Sequence, residues 1–367
     1  MSEPRDVRDA GTDQPAASTS WQERLHQVRR RKEALGSEVV LPEHPPSQQD
    51  DAAVLAEGQE VIASWQARLG PSAVQVREPL APYTTLRVGG RADLLVVADD
   101  TQVLHKAVAL AWEYNIPCRV LGAGSNVLVS DRGIRGLVVI NRAKAIAFSG
   151  KGVRAESGAS FSTLAQRCVT RGLAGLEWAA GIPGTVGGAV VGNAGAWGSD
   201  VASTLASAQV LQSDGAVASW DVERLAYGYR HSSLKGKDVQ RGAGGSVRRP
   251  VVLEATFRLQ PGNRHALRAR VVEIATRRRA TQPSGASCGS VFRNPPGDHA
   301  GRLIEAAGLK GEHRGNAIIS GVHANFIVNL GGASASDVMA LIELARQKVK
   351  DQFGISLELE IELLGQW

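Results

Sequence analysis

With 367 residues, of which 43% are apolar and 21% charged, the chain has the composition of a globular protein and room for two or three domains. No run reaches the roughly 20 apolar residues of a membrane helix and the N-terminus lacks an apolar signal core, so a cytoplasmic protein without membrane insertion is expected. The net charge is +6, yet residues 1–50 carry seven Lys/Arg against nine Asp/Glu, and no basic run interleaved with aromatics follows. A basic folded body of this kind suits an anionic small substrate or cofactor better than nucleic acid. Cys118, Cys168 and Cys288 are widely spaced, which argues against a zinc site or a disulfide framework, and no metal is expected.

Residues 1–50 read as a disordered or weakly helical extension. The first 19 are polar and mixed in charge. Ser20 and Glu23 then have capping-box spacing, and Trp21, Leu25, Val28 and Leu35 fall opposite the basic cluster Arg29, Arg30, Arg31 and Lys32. A leading helix is expected over 51–69, with Leu55, Ile62, Trp65 and Leu69 inward and Gly70-Pro71 as its stop. From Val74 onward, short strands alternate with helices: strands at 94–97, 118–121 and 137–140, and a helix at 101–113. This is α/β structure of the kind that holds a phosphate at its turns.

Three glycine-rich stretches are set on that framework. PYTTLRVGG, residues 82–90, offers Thr84, Thr85 and Arg87 as donors. LGAGSNVLVSD, residues 121–131, follows a strand. Its Gly122 and Gly124 allow peptide N–H groups to converge on an anion, with Ser125 and Asn126 as further donors. The third glycine of the dinucleotide fingerprint is missing, and a tight turn between strands remains the other reading. About sixty positions on, GIPGTVGGA and GNAGAWG crowd residues 181–198 with Gly, Ala and Pro, which reads as a backbone-lined groove or as a tightly packed helix start.

Helices are further expected at 161–171, capped by Ser160, at 263–282, 299–308 and 334–353, with a strand at 323–328. Arg277, Arg278 and Arg279 close the second of these helices, where they complement its dipole or attract a diphosphate. His323 reads as structural. Residues 355–364 alternate apolar and acidic side chains, so a strand is expected with Glu358, Glu360 and Glu362 on one face.

Taken together and in order, YTTLRVGG, LGAGSNVLVSD, GIPGTVGGAVVGNAGAWG, YGYRHSSLK, GSVFRNP, AGRLIEAAGLKG, HANFIVN and LELEIELLG resemble the UDP-N-acetylenolpyruvoylglucosamine reductase family. The resemblance runs from about Leu55 onward and leaves the first fifty residues unexplained. It implies an α+β protein: a two-subdomain FAD-binding fold of the vanillyl-alcohol-oxidase/PCMH type plus a C-terminal α/β substrate domain. The corresponding boundaries are 70–142 and 143–262 for the FAD subdomains, the second built on a mixed sheet, and 263–367 for the substrate-binding domain, in the shorter second form of the family. It further implies FAD and NADPH as cofactors, a UDP-sugar enolpyruvyl substrate and a monomer.

The same resemblance assigns catalysis to Arg230, Glu360 and the proton donor Ser290. It places Thr85, Arg87, Gly122, Ala123, Gly124, Ser125, Asn126, Gly181, Ile182, Pro183, Gly184, Thr185, Gly188, Ala194 and Gly195 on the cofactor, and Tyr229, Arg293 and Asn294 on the substrate. A planar, permanently charged guanidinium suits a carboxylate-bearing substrate. Gly192 and Trp197 depart from the family's usual residues, which bears on local flavin or substrate contacts. An oxidase of small alcohols or sugars with the same cofactor fold, or a non-catalytic binding protein docking through residues 21–35, has no reason to keep the catalytic trio.

Overall fold

The computed structural model describes residues 62–70, 73–235 and 247–367, with the backbone of 240–241. The extension over 1–50 and most of the leading helix lie outside the described residues. Residues 62–69 are helical and bury Trp65 in the first core.

That core belongs to a four-stranded sheet of β1 (Val74–Val76), β2 (Ala92–Ala98), β3 (Cys118–Leu121) and β5 (Ile134–Asn141), in the order β1-β2-β5-β3. β1 is antiparallel to β2, and the other pairs are parallel. Parallel neighbours require a crossover, supplied by α1 (Thr101–Glu113), which Asp100 caps by accepting from the Val103 amide. Leu94 and Val96 face α1, whereas Leu95, with Val138 and Ile140, packs into a second core on the other side. Burial on both faces explains why this strand is apolar, without alternation, from Leu94 to Ala98.

The second sheet holds β6 (Ile146–Ser149), β7 (Gly152–Glu156), β8 (Leu205–Leu211), β9 (Val217–Trp220) and β10 (Val251–Arg258), ordered β9-β8-β10-β7-β6. Every pair is antiparallel, so the mixed sheet expected here is corrected: β6–β7 and β8–β9 are joined by short hairpins that leave no length for a crossover. α2 (Phe161–Thr170) and α3 (Val186–Gly192) cover it. They are capped by Ser160 and Thr185, and Phe161 packs against Trp178 and Phe257.

After α4 (Arg264–Thr281), which buries only Leu267 and Ile274, comes the third sheet. Its strands are β11 (Ala286–Ser290), β12 (His313–Arg314), β13 (Ala317–Ile319) and β14 (Phe326–Asn329), all antiparallel in the order β11-β14-β13-β12. α5 (Ala300–Ala306) and α6 (Ala335–Phe353) contribute to its core, and α6 starts with a capping box of Ser334 and Asp337.

The strand expected over 355–364 is regular only as β15 (Glu362–Leu364), which pairs in parallel with β4 (Val127–Val129), a strand next to the first glycine loop. Residues 355–361 form no regular ladder, because their backbone bonds go both to residues 291–293 of their own domain and to Asn126 of the first. Leu357 and Ile361 are buried in the third core, while the Arg293 amide donates to Glu358 and the Glu360 amide to Val291. Of the acidic residues, Glu360 is drawn into a close pair with Arg230, while Glu358 and Glu362 stay exposed, 3.9 Å from Arg293 and 4.0 Å from Arg119.

A second tie joins the first and third domains. The carboxylate of Asp131 accepts the amides of Ala335 and Ser336 at 2.8 and 2.9 Å and the Ser336 hydroxyl at 2.7 Å, at the positive end of α6. Burial opposes ionisation of Asp131, but these three hydrogen bonds together outweigh it and hold its carboxyl below the usual range. A carboxyl lowered in the folded state contributes stability above its unfolded pKa and loses it as pH falls through the folded one. Asp131→Ala is expected to cost about 1–2 kcal/mol at pH 7, read as a drop in Tm. The gap between wild type and variant should narrow below about pH 4. A gap that stays constant from pH 7 to pH 3 would show that the charge of Asp131 is not what holds the helix.

Candidate active site

The two long glycine stretches touch one another. A Cβ on Gly122 would lie 2.3 Å from Thr185 Oγ1, and one on Gly124, whose φ is +59°, would lie 2.3 Å from the Tyr83 carbonyl oxygen. These glycines are therefore required by the approach of the protein's own loops, with the Ser125 hydroxyl donating to Pro183 O at 3.3 Å across the contact. Among the described residues, the backbone N–H groups of Ala123, Gly124, Ser125 and Asn126 find no acceptor. Successive N–H groups left free at such a loop can serve as an anion-binding nest.

The nest opens onto a cavity of about 1260 Å³. Its wall brings together Thr85, Gly122, Ala123, Gly124, Ser125, Asn126, Gly181, Ile182, Pro183, Gly184, Thr185, Gly188, Ala194 and Gly195, with Arg230, Ser290, Arg293 and Glu360. The free N–H groups, the small-residue wall and the volume fit a dinucleotide carrying a pyrophosphate, as FAD does.

Arg230 sits at the third position of a four-residue turn closed by paired bonds between Gly228 and His231, with φ +55°. That conformation usually selects glycine and costs a larger residue about 1–2 kcal/mol. The turn is held from α3: Asn193 Nδ2 donates to Gly228 O at 3.1 Å and Ser232 Oγ to Val191 O at 2.6 Å. From it, Arg230 Nε donates to Glu360 Oε1 at 2.6 Å, with both side chains partly buried. Glu360 is fixed through its backbone, which accepts from Asn126 Nδ2 at 3.0 Å and donates to Val291 O at 2.8 Å. Strained backbone held in place by neighbours is characteristic of functional positions.

Ser290 ends β11, where a register irregularity separates it from Ser287. Asn325 brackets Phe292, two residues on, accepting from its amide at 2.9 Å and donating to its carbonyl at 2.8 Å. Among the described residues the Ser290 hydroxyl has no hydrogen-bond partner.

Three expected contacts fall outside the cavity lining. Arg87 is exposed, and its carbonyl accepts from Asn329 Nδ2. Tyr229 is 59% exposed, with the Arg230 guanidinium 5.2 Å from its ring centre. Asn294 Oδ1 accepts from the amide of Ala300 at 3.1 Å and so serves the start of α5. Thr85 does line the cavity, but its hydroxyl donates to Ser287 O at 2.7 Å and thereby ties the first domain to β11. His323 Nδ1 accepts from the Asn325 amide and its ring packs on Phe326, in keeping with a structural role, and burial lowers its pKa.

Sequence reading missed Lys235, Asn193 and Asn325. Lys235 stands in the same segment as Arg230, and its Nζ donates to Arg230 O at 3.2 Å. Of the arginine triplet, Arg278 lines the cavity and lies against Gly181, its pKa lowered by burial, while Arg277 stacks over Trp197 at 4.9 Å. Burial pushes the thiols of Cys118, Cys168 and Cys288 up to about 12, which makes them inert.

A family model described as the C-terminal domain of UDP-N-acetylenolpyruvoylglucosamine reductase matches residues 281–364, and one described as an FAD binding domain matches residues 92–220. The UDP-N-acetylenolpyruvoylglucosamine reductase of Rubrobacter xylanophilus is 46% identical over 301 residues, 82% of this chain and 97% of that protein. The protein of that name from Chloroflexus aggregans is 44% identical over 300 residues, 80% of this chain and 98% of its own length. The crystal structure of UDP-N-acetylenolpyruvylglucosamine reductase (MurB) from Thermus caldophilus has a TM-score of 0.66 at 36% identity, covering 79% of this chain and 98% of that one. The FAD-domain match spans both glycine loops and the C-terminal match spans Ser290 and Glu360, on an α+β fold. On this similarity in sequence and structure, the chain belongs to the UDP-N-acetylenolpyruvoylglucosamine reductase family.

Proposed function

We propose that the chain catalyses the NADPH-dependent, FAD-mediated reduction of UDP-N-acetylglucosamine enolpyruvate to UDP-N-acetylmuramate in peptidoglycan precursor synthesis. The observation that carries this reading is the 2.6 Å pair between Arg230 and Glu360, set with Ser290 around a cavity that also contains the unfilled N–H nest. When bound, FAD would supply the hydride chemistry that links NADPH to the terminal alkene carbon of the substrate. The nest at Ala123–Asn126 would hold its pyrophosphate, with the wall of residues 181–185 against the remainder.

The protein's own groups handle the charge and the proton. A new C–H bond at the terminal carbon leaves an electron pair on the internal carbon, delocalised into the attached carboxylate. Arg230 meets that charge with a guanidinium already oriented by Glu360, so little reorganisation accompanies the step. Ser290 then gives its hydroxyl proton to the internal carbon and recovers one from solvent. A serine hydroxyl is a poor acid in water, and the cations Arg230 and Arg293 on the same wall make its conjugate base less costly.

In this reading the cleft is shared by subdomains 70–142 and 143–262 and a substrate domain 263–367, in a cytoplasmic monomer. The short connection from Ser290 to α5 supports the compact, second form of the family. Among the described residues no helix is long and apolar enough to cross a membrane.

Purified protein should be yellow, bleach with NADPH in the absence of air, and regain its colour on addition of the enolpyruvyl sugar nucleotide. Colourless protein that cannot be reconstituted with FAD, or reduced flavin that only oxygen reoxidises, would sink the assignment. Ser290→Ala should leave reduction by NADPH nearly intact and slow reoxidation by the sugar nucleotide about 100-fold or more. Equal slowing of both half-reactions would make Ser290 structural.

A further inference from the structure

Lys235 lines the cavity and carries a charge that the mechanism above does not use. Its position is set from behind. Leu234 is buried in the core of the second sheet, and the Lys235 amide donates to Ser232 O at 3.0 Å, closing a short 3-10 turn over Ser233–Lys235. The side chain then doubles back five residues to the Arg230 carbonyl. Glu360 and Glu362 lie near enough to act on its charge, yet among the described residues Lys235 forms no ion pair with either. Its ammonium donates to a backbone oxygen instead, the one belonging to the residue with φ +55°.

We propose that Lys235 is the positioning residue for Arg230: its ammonium clamps the Arg230 carbonyl, fixes the left-handed turn, and so keeps the guanidinium on Glu360. The inference rests on the functional reading above. An arginine at this turn position gains nothing locally from a positive φ, so an outside contact must hold the peptide there. Asn193 and Ser232 secure the residues on either side, at Gly228 and at the following turn, but neither touches the Arg230 peptide itself. Lys235 does. Burial, with Arg293 and Arg230 nearby, lowers its pKa against the opposing pull of Glu362 and Glu360, as fits a desolvated cation retained for its geometry.

The test uses the flavin-loaded full chain and its two anaerobic half-reactions. Lys235→Met should leave reduction by NADPH within about 3-fold of wild type and slow reoxidation by the enolpyruvyl sugar nucleotide about 30-fold, as misplacement of a catalytic group does. Lys235→Arg, which keeps a cationic donor, should restore most of that loss. Because Lys235 acts through Arg230, the double variant K235M/R230K should be no slower than R230K alone. A readout independent of turnover is the Arg230 Nε–H proton resonance, identified by its loss in R230K. It should lie downfield in wild type and K235R, through the short bond to Glu360, and move upfield in K235M. If K235M does not take up flavin, Lys235→Gln replaces it with the same expectations.

Wild-type kinetics in K235M, equal slowing of both half-reactions, additive losses in the double variant, or an unmoved Nε–H signal would each overturn the proposal. Wild-type protein run alongside separates the two inferences. If its reduced flavin is not reoxidised by the sugar nucleotide, the functional reading fails, while the Nε–H signal still decides whether Lys235 holds Arg230.

Discussion

The arrangement depends on a parallel ladder only three residues long. Glu362, Leu363 and Leu364 pair with Val127, Leu128 and Val129, so the segment after Glu360 and the segment after the glycine loop run side by side. Asn126 extends the contact, accepting from the Glu362 amide and donating to the Glu360 carbonyl. The residue that ends the nest therefore also positions the carboxylate that orients Arg230. Each such hydrogen bond contributes on the order of 1 kcal/mol net, and burial of Ile361 and Leu364 adds to it. None of these terms is large, and their shared location is what couples cofactor cradle to reaction centre.

The electrostatics of the cavity follow from the same geometry. Glu360 is committed to Arg230, and Glu362 lies 4.0 Å from Arg119. Lys235, Arg278 and Arg249 share the wall, and among the described residues none of the three forms an ion pair. A desolvated surplus of positive charge is costly to a protein unless an anion relieves it. Diphosphates and a carboxylate are ligands of that kind, which turns the modest net charge of the sequence into a local property of one cleft.

Much of the framework was legible in the sequence because it is governed by local rules. The helices at 101–113 and 335–353 announce themselves by apolar periodicity and by the caps Asp100 and Ser334. Strands buried on both faces read as apolar runs. The second sheet was harder: IAFS and VASW are short and only partly buried, and they have pattern only when paired. Residues 355–361 misled through genuine alternation, since a segment can be extended and still divide its hydrogen bonds between domains.

For the site, residue types were readable and partners were not. Gly122 and Gly124 signalled a close approach, but the atoms approaching are Thr185 and Tyr83 as well as any ligand. Asn294, assigned to the substrate by family resemblance, is occupied in starting α5. Asp131 was quoted within its motif and its task overlooked, since its partners Ala335 and Ser336 are about two hundred positions away. The backbone clamp on Arg230 was equally invisible, because no sequence pattern marks a carbonyl that needs a lysine.

The ladder between β4 and β15 also determines how the protein can come apart. Separating Glu362–Leu364 from β4 exposes β4, frees Asn126 and withdraws Glu360 together, so this contact opens as one cooperative unit. Amide hydrogens on both strands should then exchange with deuterium at a common rate. The fluctuation that opens the flavin cradle thereby also withdraws the carboxylate that orients Arg230.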